Sequence, residues 1–168
     1  MIVLCLITLQ LQAQTDHPTQ TAHSAPSIQP AKHFHPGHVL LPDSTVGTGY
    51  IRDYMQPNAS IVFLDSRTGK KRTLTSAQLL SLDIDTTHYI CLKGDFFKII
   101  ATSDLLFLQK SSNASGKPAY NGTEPILVNG TEGRLNDCFL YDPKKQDLQL
   151  VNTRTIAHVI PTAFFKQK

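Results

Sequence analysis

The chain lacks the short signatures that make catalysis legible in a sequence. It contains no G-x-S-x-G, no H-E-x-x-H, no glycine-rich phosphate loop and no Cys-x-x-Cys. Motif-based readings as a nucleophile-elbow hydrolase, a zincin, a phosphate-loop enzyme or a dithiol redox protein are thereby excluded. Concentrated charge is missing too: the formal net charge is +3 and its sources are scattered, so the electrostatic footprint of a nucleic-acid binder is absent. Beyond the first eleven residues there is no long apolar run, and a spanning helix needs about 20 such residues.

What is present begins with Met1 to Leu11, MIVLCLITLQL, an uncharged apolar run giving way to Gln12, Ala13, Gln14 and Thr15. That is how the hydrophobic region of a signal peptide ends, and Ala13 satisfies the small-residue requirement before the cut. The first lysine or arginine is Lys32, so the positively charged start of such a peptide is lacking. Residues 1–13 are read as a signal peptide, and the processed chain is expected to have no transmembrane span. Residues 14–46 are rich in Pro, His, Ser, Thr and Gln and poor in aliphatics, so they bury too little apolar surface to offset ordering entropy. They are expected to form a disordered tether with a polyproline bias. Residues 47–168 then make one domain by the usual length prior.

In that domain short apolar runs alternate with Gly, Asn, Asp and Pro, which is strand-and-turn punctuation. Strands are expected over 60–65, 71–75, 88–93, 96–102, 105–110, 125–129, 138–142 and 147–151. Asp142-Pro143-Lys144-Lys145 has type I turn chemistry between two such runs and predicts a hairpin. Arg67, Lys70, Lys71 and Arg72 surround Thr68-Gly69, which places them on a solvated hairpin tip. Thr75-Ser76-Ala77-Gln78 is a capping box, predicting a short helix over 76–81 that packs Leu79, Leu80 and Leu82 onto the sheet. The expected fold is mainly β, a small sandwich or partly open barrel with one or two short helices. A further helical turn is expected within 153–160.

The runs FFKIIATSDLLFLQKSS, ILVNGTEG and CFLYDPKKQDLQLVN, with Tyr120-Asn121-Gly122-Thr123 between them, resemble uncharacterised exported proteins of Gram-negative bacteria over residues 59–152. The resemblance implies export. It implies no activity, cofactor or catalytic residue.

Candidate chemistry is confined to a few places. Histidines crowd the tether, most densely in His33-Phe34-His35-Pro36-Gly37-His38, where His33, His35 and His38 could converge on Zn, Cu or Ni. The competing reading is a solvated His-rich linker. Cys91 and Cys138 both sit in apolar runs; an exported chain could bridge them, and otherwise they are small buried hydrophobes. His88 lies near Asp83, Asp85 and Ser81, a cast that any polar turn would supply. Asp65, Asp95, Asp104 and Asp142 fall at strand ends, where Asp serves turns. Asn58, Asn113, Asn121 and Asn129 each begin an N-x-S/T triplet, read as turns. The leading functional expectation is an exported, non-enzymatic envelope protein, a binding or structural module whose partner is another envelope protein or a surface polymer. No cofactor is expected. The alternatives are a metal-binding protein using the His tract, or a hydrolase built on the loops 111–122 and 130–136.

Overall fold

The computed structural model describes residues 31–115, 118–120, 125–127 and 130–151. The signal-peptide reading, most of the tether, the Asn121 and Asn129 turns and the helical turn within 153–160 lie outside the described residues.

The described chain is mainly β. Twelve strands form: β1 (His35–Leu40), β2 (Val46–Tyr54), β3 (Ser60–Asp65), β4 (Lys71–Thr75), β5 (Ser81–Ile84), β6 (Thr87–Leu92), β7 (Asp95–Thr102), β8 (Leu106–Lys110), β9 (Pro118–Tyr120), β10 (Pro125–Leu127), β11 (Cys138–Asp142) and β12 (Asp147–Leu150). Ten of them make one antiparallel sheet, in the order β12-β11-β8-β7-β6-β5-β1-β2-β3-β4. The short hairpin β9-β10 is separate and arises between β8 and β11.

Alternation along the strands assigns two cores to opposite faces of this one sheet. Val39, Ile51, Ile61, Phe63, Leu74, Leu82, Ile84 and Phe96 form the first, with Met55 from the single helical turn α1 (Met55–Asn58). Phe97, Leu108 and Phe139 form the second, flanked by Ile90, Ile99 and Tyr141. Strand β6 sends Tyr89 and Cys91 to the first core and Ile90 and Leu92 to the second. Strand β7 divides in the same way between adjacent Phe96 and Phe97. Because successive side chains point to opposite faces, β6 and β7 act as a wall shared by both cores. The Phe97 and Phe139 rings meet edge to face, with centroids 5.2 Å apart.

Around the first core the sheet curls. Gly37 on β1 is the register partner of both Gly49 on β2 and Ile84 on β5. A Cβ on Gly37 would stand 2.2 Å from the Asp83 carbonyl oxygen, and one on Gly49 would stand 2.1 Å from the Leu64 carbonyl oxygen. Only glycine allows backbones to approach so closely, and glycines at such positions let a sheet bend. The turn after β4 consequently comes back to lie against β6 and β7, so that strands β1 to β6 wrap the first core as a partly open barrel.

Four sequence expectations change. The tether ends earlier than residue 46: β1 and the first residue of β2 fall inside it, and Val39 is fully buried. A single Val-Leu-Leu run, on a strand placed between β2 and β5, finds enough apolar surface to offset its ordering. Strand β5 occupies part of the span expected to be helical. The capping box does form, with the Thr75 amide donating to Gln78 Oε1 at 3.0 Å, but it closes only a 3-10 turn over Ser76–Gln78. Leu79 and Leu82 are buried as expected, whereas Leu80 is exposed.

Candidate functional site

The densest polar constellation lies at the rim of the second core, where the first residue of β7 meets the last of β8. Asp95 and Lys110 are both fully buried, and Lys110 Nζ stands 3.2 Å from Asp95 Oδ2. Asp95 Oδ1 accepts from the Ser112 hydroxyl at 2.9 Å and from the Ala114 amide at 2.8 Å. Asp95 Oδ2 accepts from the Thr131 amide at 2.8 Å. Lys110 Nζ also donates to the carbonyl oxygens of Thr131, Glu132 and Gly133. Ser112 Oγ completes the set by accepting from the Phe96 amide at 2.9 Å.

Both ions are thus solvated by protein. A buried carboxylate without partners would cost several kcal/mol, roughly, which three charge-assisted hydrogen bonds and a cation offset here. The site ties the loop after β8 and the loop before β11 to the sheet, and Gly130 makes room for it: a Cβ there would lie 2.9 Å from Asp95 Oδ2. One group is left over. The Thr131 hydroxyl is buried and has no hydrogen-bond partner among the described residues. The described parts of the loops at 111–122 and 130–136 are anchored by this clasp, whose side chains Asp95, Lys110 and Ser112 are fully buried.

The histidines proposed as a metal set do not converge. His35 and His38 are three residues apart on an extended strand and so project to opposite faces. His35 Nδ1 pairs with Asp85 Oδ2 at 2.9 Å, while His38 Nδ1 meets Thr48 Oγ1 at 3.1 Å. His33 lies before the strand, in the left-handed region at φ 73°. Among the described residues no group of three or more His, Cys, Asp or Glu side chains is placed to hold a metal ion.

The disulfide is also corrected: Cys91 and Cys138 are free. They lie on β6 and β11, with β7 and β8 between. Three interstrand steps amount to about 14 Å, twice the Cα separation of about 7 Å that a bridge tolerates. Burial pushes the Cys91 thiol up to about 12. Burial, with the Asp137 carboxylate next to it, raises Cys138 as well.

His88 and Asp83 do meet, as direct cross-strand partners with Nδ1 to Oδ1 at 2.6 Å. Thr48, His38, Asp83 and His88 are successive register partners across β2, β1, β5 and β6, making one polar row on the outer side of the barrel. Ser81 lies two residues along β5, opposite Ile90.

The β3–β4 tip carries its basic cluster in the expected place. Asp65 Oδ1 accepts from the amides of Arg67 and Thr68 at 2.9 and 2.8 Å. The Thr68 amide bond holds the Asp65 carboxyl below the usual carboxylate range. Two grooves flank β2. One, of about 320 Å³, is lined by His33, His35, Arg52, Asp53 and Tyr54. The other, of about 340 Å³, is lined by residues of the β1–β2 turn and the β3–β4 tip, including Thr48, Ser66 and Arg67.

Sequence reasoning missed the clasp. In the sequence Asp95 reads as a strand-end turn aspartate, and Lys110 closes an apolar run where lysine usually marks a strand leaving the core. The available signal was the order itself: a lysine two residues before a serine, facing an aspartate at the start of the neighbouring strand. Compared with known proteins, the chain significantly matches no family model, no curated protein and no solved structure.

Proposed function

We propose that this chain is an exported, non-enzymatic module of the bacterial cell envelope that works by binding a second envelope component, either a protein or a surface polymer. The observation that carries this reading is the open sheet. Its outer strands, β4 and β12, each pair on one side only among the described residues, and a sheet edge offers backbone groups for an added strand. Two further points support it. The main buried polar cluster is committed to holding loops in place rather than to a reachable site. The apolar run at the N-terminus has the form of a secretory signal. Among the described residues no helix is long and apolar enough to cross a membrane.

The test is site-specific photo-crosslinking in cells after envelope fractionation, with the reactive group at Thr73 on β4, at Gln149 on β12 and, as a control, at exposed Glu132. A chain starting at Gln14 in the envelope fraction, with an adduct from an edge position and none from the control, is expected. Full-length chain confined to the cytosol would refute export. Processed chain without any adduct would refute the binding role.

A further inference from the structure

The chain's small surplus of positive charge falls within the residues that form β1 to β4 and their flanks. Between residues 31 and 80, Lys32, Arg52, Arg67, Lys70, Lys71 and Arg72 stand against Asp43, Asp53 and Asp65, a surplus equal to the whole chain's +3. None of the six cations is in an ion pair among the described residues; the four ion pairs there involve other groups. The three carboxylates, by contrast, are each committed to backbone amides: Asp43 to Thr45, Asp53 to Met55, and Asp65 to Arg67 and Thr68. Arg67 acts on Asp65 only at longer range.

Three of the six cations are also held in place. Arg52 lies over the Tyr54 ring at 4.9 Å, Lys71 over Phe34 at 5.7 Å, and Arg72 over Phe63 at 5.8 Å. Stacking on a ring fixes a cation without neutralising it, which lowers the entropy cost of meeting an anion. Each groove flanking β2 combines one guanidinium with hydroxyl or imidazole groups and with a carboxylate already turned to backbone amides: Arg52 and Asp53 beside His33, His35 and Tyr54, and Arg67 and Asp65 beside Thr48 and Ser66.

We infer that this side of the barrel docks an acidic polysaccharide, with carboxylate-bearing sugars seated in the grooves at the two ends of β2. The inference rests on the envelope-module reading and names its polymer. The anion spacing selects the class. Arg52 and Arg67 stand roughly 15 Å apart along the β2 direction, whereas a nucleic-acid strand presents a charge about every 3.4 Å and is met by a continuous basic stripe. A polymer with widely spaced carboxylates and many hydroxyls fits two separate grooves that each present one guanidinium, unpaired among the described residues, beside hydroxyl-matching walls.

The experiment is isothermal titration of the purified chain with a hyaluronate octasaccharide, whose carboxylates fall on every second sugar. The same titration is run with an uncharged oligosaccharide of equal length, with a thymidine oligonucleotide of equal charge and with phosphatidylglycerol vesicles. Binding to the hyaluronate alone is expected, weakened about tenfold by Arg52→Gln with Arg67→Gln and abolished by about 0.5 M salt. The urea midpoint of that variant checks that it folds. Arg52→Gln and Arg67→Gln made singly give a second route should the double variant be unstable. No binding, unchanged affinity in the folded variants, or tighter binding to the oligonucleotide or the vesicles would overturn the inference. If that happens while the chain is still processed and cross-linked in the envelope, only this inference falls; an unprocessed cytosolic chain removes the underlying reading whatever the titration gives.

Discussion

Replacing Lys110 by methionine keeps the length of the side chain and removes its charge, leaving Asp95 fully buried with three donors, Ser112 Oγ and the amides of Ala114 and Thr131. The three carbonyls that Lys110 served, on Thr131, Glu132 and Gly133, lose that donor as well. Removing one partner of a buried ion pair costs about 3 to 5 kcal/mol, because the remaining charge stays buried and uncompensated. With a urea dependence of about 1.5 kcal/mol per molar for a domain of this size, the unfolding midpoint should fall by about 2 to 3 M. Asp95→Asn should cost a similar amount, since an amide offers one acceptor oxygen where the carboxylate offers two. The decisive quantity is the double variant. If the pair acts as one unit, Asp95→Asn with Lys110→Met should be less damaging than the two single losses added together, by at least about 1 kcal/mol. Single losses below about 1 kcal/mol, or strict additivity, would show that the clasp does not hold the loops as argued.

Four further outcomes follow. The Thr131 hydroxyl is buried and unpartnered among the described residues, so Thr131→Val should leave stability unchanged or raise it by about 1 kcal/mol; a loss of that size, read by urea unfolding, would reveal a partner for it. Gly49→Ala drives a methyl group to 2.1 Å from the Leu64 carbonyl and should cost at least about 2 kcal/mol; a silent substitution would mean that the curl around the first core needs no such approach. Intact mass should be unchanged by reduction, and a thiol reagent at pH 8 should modify Cys138 well before Cys91, whose thiol is pushed up to about 12; equal rates in the folded protein would contradict the burial of Cys91. Asp65 titrates below the ordinary carboxylate range in the folded state, so its contribution is complete above that ordinary value and is lost as pH falls through the lower folded value; an Asp65→Asn variant should therefore lose stability at neutral pH and converge with the parent in strong acid.

Most of the strands were legible because their signals are local. Strands β3, β4 and β11 coincide with the expected runs, since each is a β-branched or aromatic stretch bounded by turn residues. The Asp142-Pro143 hairpin formed with Asp142 opposite Asp147 and its carboxylate capping the Lys144 amide at 2.9 Å. Strands β1 and β2 were hidden by the residues that make the curl work. His35-Pro36-Gly37-His38 reads as linker, and Gly47 and Gly49 read as turn punctuation, because a close approach between backbones depends on residues more than ten positions away. The clasp was hidden for the same reason. Nothing local to Asp95 distinguishes it from Asp65; the difference is that the loops after Lys110 and before Cys138 fold over one and leave the other in solvent.

The most direct single test of the envelope-module reading is native mass spectrometry of the chain isolated from its own cells by gentle envelope extraction. The expected spectrum shows a chain beginning at Gln14, with both cysteines reduced, free of stoichiometric metal and carrying a retained envelope component. A full-length chain beginning at Met1, or a processed chain bearing one zinc or copper ion and nothing else, would contradict it.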